Sequence, residues 1–219
     1  MRKIKKTIGG YFFYIEKIFQ QNNFCLLFLV LFSLLFLSFF IDKAFSLDAP
    51  LFLWTAKHIS TDPLSFYDLS VNWYGFSLPM YEINQNPPLV AYYIALSSLF
   101  FGWSEIALHI AFMLPAIMLI VGIFYLGKLF SNHSLLPSLI ALLSPVFLAS
   151  GTMLMSDISM LVFYVWSILF WIRAINEEKN LFFFIFSLLA SCAFLSKYFG
   201  LTLIPLCFVY AILDRKKNW

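Results

Sequence analysis

PPLVAYYIALSSLFFGW, residues 87–103, is the stretch on which the topology of everything after it depends. Its apolar part is about 15 residues, short of the roughly 20 that a helix needs to cross a 30 Å hydrocarbon core. Pro87 and Pro88 suit the start of a helix, and Tyr92 and Tyr93 suit the level of lipid headgroups. These features predict a helix lying in the membrane interface. If it crossed instead, every later loop would change sides.

The basic residues choose between the two readings. With 87–103 flat, eleven of the 14 Lys and Arg residues fall on one side: Arg2, Lys3, Lys5, Lys6, Lys17, Lys128, Arg173, Lys179, Arg215, Lys216 and Lys217. Only Lys43, Lys57 and Lys197 fall on the other. The positive-inside rule makes the larger group cytoplasmic. A crossing at 87–103 would send Lys128, Arg173, Lys179 and the carboxy-terminal cluster outside and erase the asymmetry. The acids sort the same way, with Asp42, Asp48, Asp62, Asp68, Glu82, Glu105 and Asp157 outside and Glu16, Glu177, Glu178 and Asp214 inside.

The bilayer as solvent follows from composition. Of 219 residues, 62% are hydrophobic and 11% charged, against about 25% charged in an ordinary soluble domain. The expected fold is all-α, a polytopic bundle of membrane helices with interfacial helices in its first outer loop. Residues 1–23 form a cytoplasmic amino terminus and 24–41 a first span, retained because 18 uncharged residues exceed a signal-peptide core and no small-x-small cleavage site follows. Residues 42–105 form the extracytoplasmic loop. Five further spans lie within 106–213, at 106–127, 135–155, 158–175, 181–196 and 198–213, and 214–219 form a cytoplasmic tail. The net charge of +3 gives no warrant for nucleic-acid binding. Cys25, Cys192 and Cys207 lie in apolar runs and have neither metal nor disulfide spacing.

Three ionisable residues stand close to membrane depth on the outer side: Asp48 after the first span, Asp157 between two spans, and Lys197 between two more. Charge there is costly and usually faces a bundle interior or polar cavity, although each also suits an interface residue that marks a helix end. His109 lies inside a span without a second ligand at i+3 or i+4 and reads as a hydrogen-bonded packing residue or a proton carrier. His58 and His133 have no metal spacing. Trp54, Trp73, Tyr74 and Tyr81 in the outer loop suit interface anchoring or sugar stacking.

Four segments in order carry more than any single residue: SLDAPLFLWTAKHI at 46–59, NPPLVAYYIAL at 86–96, MLMSDISMLVF at 153–163 and AFLSKYFGLTLIPL at 193–206. This succession resembles the amino-terminal catalytic module of the GT-C glycosyltransferases, in the bacterial branch akin to protein O-mannosyltransferases and the lipid A aminoarabinose transferase. In that family an acid follows span one, a PPL-type motif opens an interfacial helix, an Asp begins a later span and a Lys begins another. Ala49 stands where relatives often carry Glu, Asn86 precedes the prolines in place of His or Lys, and Tyr198 follows Lys197 in place of Gly. Relatives are commonly longer, so a truncated or minimal module is expected.

The resemblance implies an inverting enzyme of the cell membrane, in bacteria the inner or plasma membrane. It takes a sugar from a polyprenyl-phosphate carrier and gives it to a lipid, glycan or protein acceptor outside. It implies Asp48 as catalytic base and Lys197 as the group that neutralises the leaving phosphate, with Asp157 beside it in substrate binding. The second acid's role is either unfilled or supplied elsewhere, with Glu82 the candidate for substrate binding. A divalent metal is the one cofactor it leaves room for. The competing readings are a flippase-like transporter of a lipid-linked sugar, for which no internal repeat is visible, and a non-catalytic partner.

Overall fold

Ser104 opens the longest helix of the chain: its Oγ accepts from the Ala107 N–H at 3.3 Å, and 26 residues follow without interruption. The computed structural model describes residues 22–45, 48–131 and 133–217. The expected cytoplasmic amino terminus with Arg2, Lys3, Lys5, Lys6 and Lys17 lies outside the described residues, as do Ser46, Leu47 and the side chains of Asp214, Arg215, Lys216 and Lys217. The fold is mostly helical. In chain order the helices are α1 (Asn22–Ser38), α2 (Ala49–Ile59), α3 (Met80–Ile83), α4 (Leu89–Phe101), α5 (Glu105–Phe130), α6 (Leu135–Leu142), α7 (Pro145–Ser150), α8 (Ser156–Glu177), α9 (Asn180–Ser196) and α10 (Leu203–Lys217), with a 3-10 turn at Tyr198–Thr202.

Two of these helices, α5 and α8, are long and apolar enough to cross a membrane, with mean hydropathy of 2.5 and 1.9. At 1.5 Å per residue they run about 39 and 33 Å, enough for the hydrocarbon core. Periodicity along α1 separates an inward stripe, Cys25, Leu29, Ser33 and Leu37, from exposed Leu27, Leu31, Leu34 and Leu35. In α5, Ile106, Ile110, Leu114 and Met118 form an exposed stripe opposite buried Leu108, Phe112, Ala116 and Leu119. Uncharged outer stripes of this length suit lipid and not water.

The core has two parts. One joins α1, α5, α6, α7 and α8 through Leu29, Leu37, Ile120, Phe124, Leu142, Phe147 and Val162. The other joins α2 and α4 to the start of α5 through Phe52, Ala56, Val90, Ile94, Leu108 and Phe112. In α2 the buried residues Ala49, Phe52, Leu53, Ala56 and Ile59 recur at helical spacing, which is why it lies against α4. Gly122 lets α8 approach α5 closely, since a Cβ there would stand 3.0 Å from Trp166 Nε1 and from Val165 Cγ1. Glu178 takes a left-handed conformation (φ 51°) in the tight turn from α8 into α9.

Three expectations need correction. The stretch 135–155 is two short helices and not one continuous span. Pro145 has no N–H to give the Ala141 carbonyl. The Ser144 hydroxyl donates to that carbonyl at 2.9 Å, and its oxygen accepts from the Phe147 N–H at 3.2 Å, so one side chain closes α6 and caps α7. The stretch 198–213 opens as the 3-10 turn before α10 begins, with Pro205 in the first turn of α10 where its missing donor costs least. The all-α expectation also meets a short two-stranded ribbon within 42–105: Ser70–Asn72 (β1) pairs antiparallel with Ser77–Pro79 (β2), and Gly75 (φ 92°) lies in the connecting turn.

One proline lies well inside a helix. Pro115 of α5 leaves the Ala111 carbonyl without its i+4 donor. The Tyr93 hydroxyl of α4 fills that place, donating to Ala111 O at 2.7 Å, while its ring packs edge-on against Phe112. The short helix expected at the interface is thus fastened to the longest helix of the bundle by a bond that the proline makes available.

Candidate functional site

The ends of several helices gather at one end of the bundle. The Thr152 hydroxyl donates to Phe40 O at 3.3 Å and Lys43 Nζ to Ala149 O at 3.4 Å, so the chain leaving α1 meets the chain entering α8. Glu105 Oε1 accepts from the Phe45 N–H at 3.2 Å, and His109 Nδ1 lies 3.0 Å from Ile41 O. A carbonyl only accepts, so Nδ1 carries the proton, and the ring of His109 is buried.

At this end Lys197 Nζ meets Asp157 Oδ1 at 2.6 Å, the side chains 36% and 41% exposed. Asp157 stands in the first turn of α8 and Lys197 closes α9, so each charge also complements the dipole of its own helix. A half-exposed pair contributes about 0–1 kcal/mol; its stability value is small and its value is positional. The backbone fixes Lys197 on both sides. Its N–H donates to Ala193 O at 3.1 Å, and its carbonyl accepts from Gly200 N at 2.8 Å. A Cβ on Gly200 would stand 2.5 Å from the Ala193 carbonyl carbon, so only glycine lets the 3-10 turn fold onto α9. Tyr164 of α8 holds that turn through Thr202, with 3.1 Å between the hydroxyl oxygens.

Tyr67, between α2 and β1, lies near enough to that turn to feel the Tyr198 phenol. Burial pushes the Tyr67 phenol above its ordinary range, and nearby Tyr198 adds to the effect. The Tyr67 hydroxyl therefore stays protonated and donates to the Asn86 carbonyl just before the two prolines.

An apolar cleft of about 290 Å³ lies between α4, α5, α8 and the end of α9; its walls include Tyr93, Leu96, Pro115, Val162, Ser159 and Ser196. Ser196 directly precedes Lys197, and Ser159 is two residues beyond Asp157. Ser33, Thr55, Ser138, Ser167, Ser187, Ser191 and Ser196 each donate to the carbonyl four residues back. The buried Ser159 Oγ has no hydrogen-bond partner among the described residues.

Asp48 occupies the N-cap position of α2, exposed, and makes no side-chain capping bond. Glu82, in the first turn of α3, is also exposed. Among the described residues no hydrogen bond or ion pair joins either acid to the Asp157–Lys197 pair, and no group of three or more His, Cys, Asp or Glu side chains is placed to hold a metal ion. The structure therefore joins two of the four sequence-predicted residues, Asp157 and Lys197, in direct contact, while Asp48 and Glu82 stand exposed in the segment 42–105.

The sequence profile described as dolichyl-phosphate-mannose-protein mannosyltransferase matches residues 85–219, well over half of the chain. The chain belongs to that mannosyltransferase family. It is a family of membrane-embedded glycosyltransferases of the GT-C type, so the GT-C resemblance stands, and three of its four segments, 86–96, 153–163 and 193–206, fall in the matched region. The matched mannosyltransferase region contains Asp157, Lys197 and the cleft, and begins after Asp48 and Glu82. No curated protein and no solved structure matches the chain.

Sequence reasoning passed over Ser159, Tyr93 with Pro115, and Gly200. Pro115 in an uninterrupted apolar run is a visible signal that some neighbour must serve Ala111. Which neighbour does so is a matter of tertiary structure, as is the isolation of the Ser159 hydroxyl.

Proposed function

We propose that this chain transfers a sugar from a polyprenyl-phosphate carrier to a lipid, glycan or protein acceptor at the extracytoplasmic face of the cell membrane, with inversion. The observation that carries this reading is the 2.6 Å pairing of Lys197 with Asp157 inside the family-matched region. An ammonium has three donors, so Lys197 can keep Asp157 and still bind a phosphate oxygen. The acceptor oxygen attacks the anomeric carbon and the bond from that carbon to the phosphate oxygen breaks. The electron pair leaves with the carrier phosphate, where Lys197 stabilises the developing charge. The acceptor proton passes to the Asp48 carboxylate. Glu82 serves the acceptor side, and the apolar cleft takes the carrier's first isoprenoid units. Both termini are cytoplasmic, α4 lies in the interface, and 42–105 forms the outer loop.

Replacing Lys197 by Met tests the phosphate role. A hydrogen bond to a charged group is worth roughly 1.5–3 kcal/mol, so affinity for the polyprenyl-phosphate sugar should fall on the order of 10- to 100-fold, with Lys197→Arg retaining part of it. Unchanged affinity and turnover in Lys197→Met would remove Lys197 from the site.

A further inference from the structure

At the opposite end of α5 and α8 lies a second cleft, of about 250 Å³, lined by Tyr125, Trp166, Leu169, Phe170 and Arg173. The last four lie at i, i+3, i+4 and i+7, one face of α8. Its floor is aromatic, with Tyr125 and Trp166 rings 6.0 Å apart and Trp166 and Phe170 rings 6.5 Å apart. Trp166 Nε1 is already engaged, donating to Met118 O at 3.0 Å. Arg173 stands in its wall, and Lys128, outside the lining itself, places its ammonium 4.7 Å from the Phe124 ring centre and 5.3 Å from that of Tyr125, which does line the cleft. Arg173 has no ion pair or hydrogen bond among the described residues, although Glu177 stands one turn further on. That carboxylate is held by Lys179 at 2.6 Å. Arg173 stands four residues before the end of α8, about 6 Å along its axis, the depth at which a lipid phosphate meets a helix end.

We propose that this cleft binds the headgroup of a net-anionic glycerophospholipid. The Arg173 fork takes two phosphate oxygens, Lys128 adds a second positive charge, and the aromatic floor receives the glycerol and the upper part of the acyl chains. The volume suits a headgroup and is small for a complete soluble ligand. A zwitterionic headgroup would bring its own cation against Arg173 and Lys128, so the cleft selects lipids without one. Assignment to the cytoplasmic leaflet rests on the topology proposed above, but the binding does not.

The test uses the full chain purified in detergent and incubated with phosphatidylglycerol, with phosphatidylcholine of the same acyl chains, or with inorganic phosphate. Retained lipid is counted by native mass spectrometry. The wild type should retain phosphatidylglycerol over phosphatidylcholine on the order of tenfold, as one charge-assisted contact predicts. Arg173→Gln should lose that preference, Arg173→Lys keep part of it, and Lys57→Gln, distant from the cleft, keep all of it. Inorganic phosphate in millimolar excess should leave the retained lipid in place. Equal preference in wild type and Arg173→Gln overturns the proposal, as does displacement by inorganic phosphate, which would make the cleft a simple anion site. Should Arg173→Gln fail to give monodisperse protein, Arg173→Lys decides: reduced preference supports the site and unchanged preference overturns it.

Discussion

Replacing Tyr93 by Phe removes one oxygen and leaves the Ala111 carbonyl without a donor, because Pro115 cannot supply the i+4 N–H. Interhelical hydrogen bonds in membrane proteins average only about 0.6 kcal/mol, since the reference state usually finds other partners. Ala111 has no backbone alternative, so Tyr93→Phe should cost more, about 1–2 kcal/mol. Pro115→Ala restores the missing N–H, and in that background Tyr93→Phe should be nearly silent. The double-mutant cycle, read by unfolding in mixed detergent micelles, should therefore return a coupling of about 1–2 kcal/mol between residues on different helices. Equal cost of Tyr93→Phe with and without the proline would refute the carbonyl argument and leave only ring packing on Phe112.

Gly200→Ala forces a Cβ onto the Ala193 backbone. It should displace the 3-10 turn and with it Lys197, lowering donor affinity at least as much as Lys197→Arg; wild-type affinity would show that the turn does not hold the lysine. Ser159→Ala removes a buried hydroxyl without a partner, so the ligand-free protein should be no less stable and by about 1 kcal/mol more so. A loss of stability would mean that the hydroxyl has a partner in the resting protein. In a background lacking Cys25, Cys192 and Cys207, cysteines at Ser131 and Asn176 should react with an impermeant thiol reagent only from the cytoplasmic side. Reaction from outside would overturn the interfacial placement of α4.

Much of the helical layout was legible because apolar runs and charge punctuation are local properties. Residues 24–41, 106–127, 158–175 and 181–196 each fall within a few residues of α1, α5, α8 and α9. The break at Ser144 and Pro145 was also written in the chain, since a serine before a proline is a helix start, but hydropathy averaged over 135–155 hides it. Asp157 and Lys197 could be singled out by the cost of charge near membrane depth, and their adjacency follows from the antiparallel turn at Glu178 and Lys179 that brings the start of α8 level with the end of α9. Asp48 and Glu82 are different. Both sit in the segment 42–105 with exposed side chains, where no burial cost marks one acid above its neighbours and only order along the chain distinguishes Asp48. The cleft at Arg173 was not legible in the sequence, because Arg173 reads as one more cation at a helix end until the structure shows Glu177 held by Lys179.

The most direct measurement of the central claim is sugar transfer by purified, reconstituted wild-type and Asp48→Asn protein from a panel of polyprenyl-phosphate sugars. Asn keeps the shape of the side chain and removes its basicity. The account predicts transfer by the wild type from at least one donor, and a fall on the order of 10² to 10⁴ in Asp48→Asn, the range for losing a general base, with donor binding retained. Near-normal transfer by Asp48→Asn would remove Asp48 as the base, and absence of transfer by the wild type from every donor would contradict the enzyme itself.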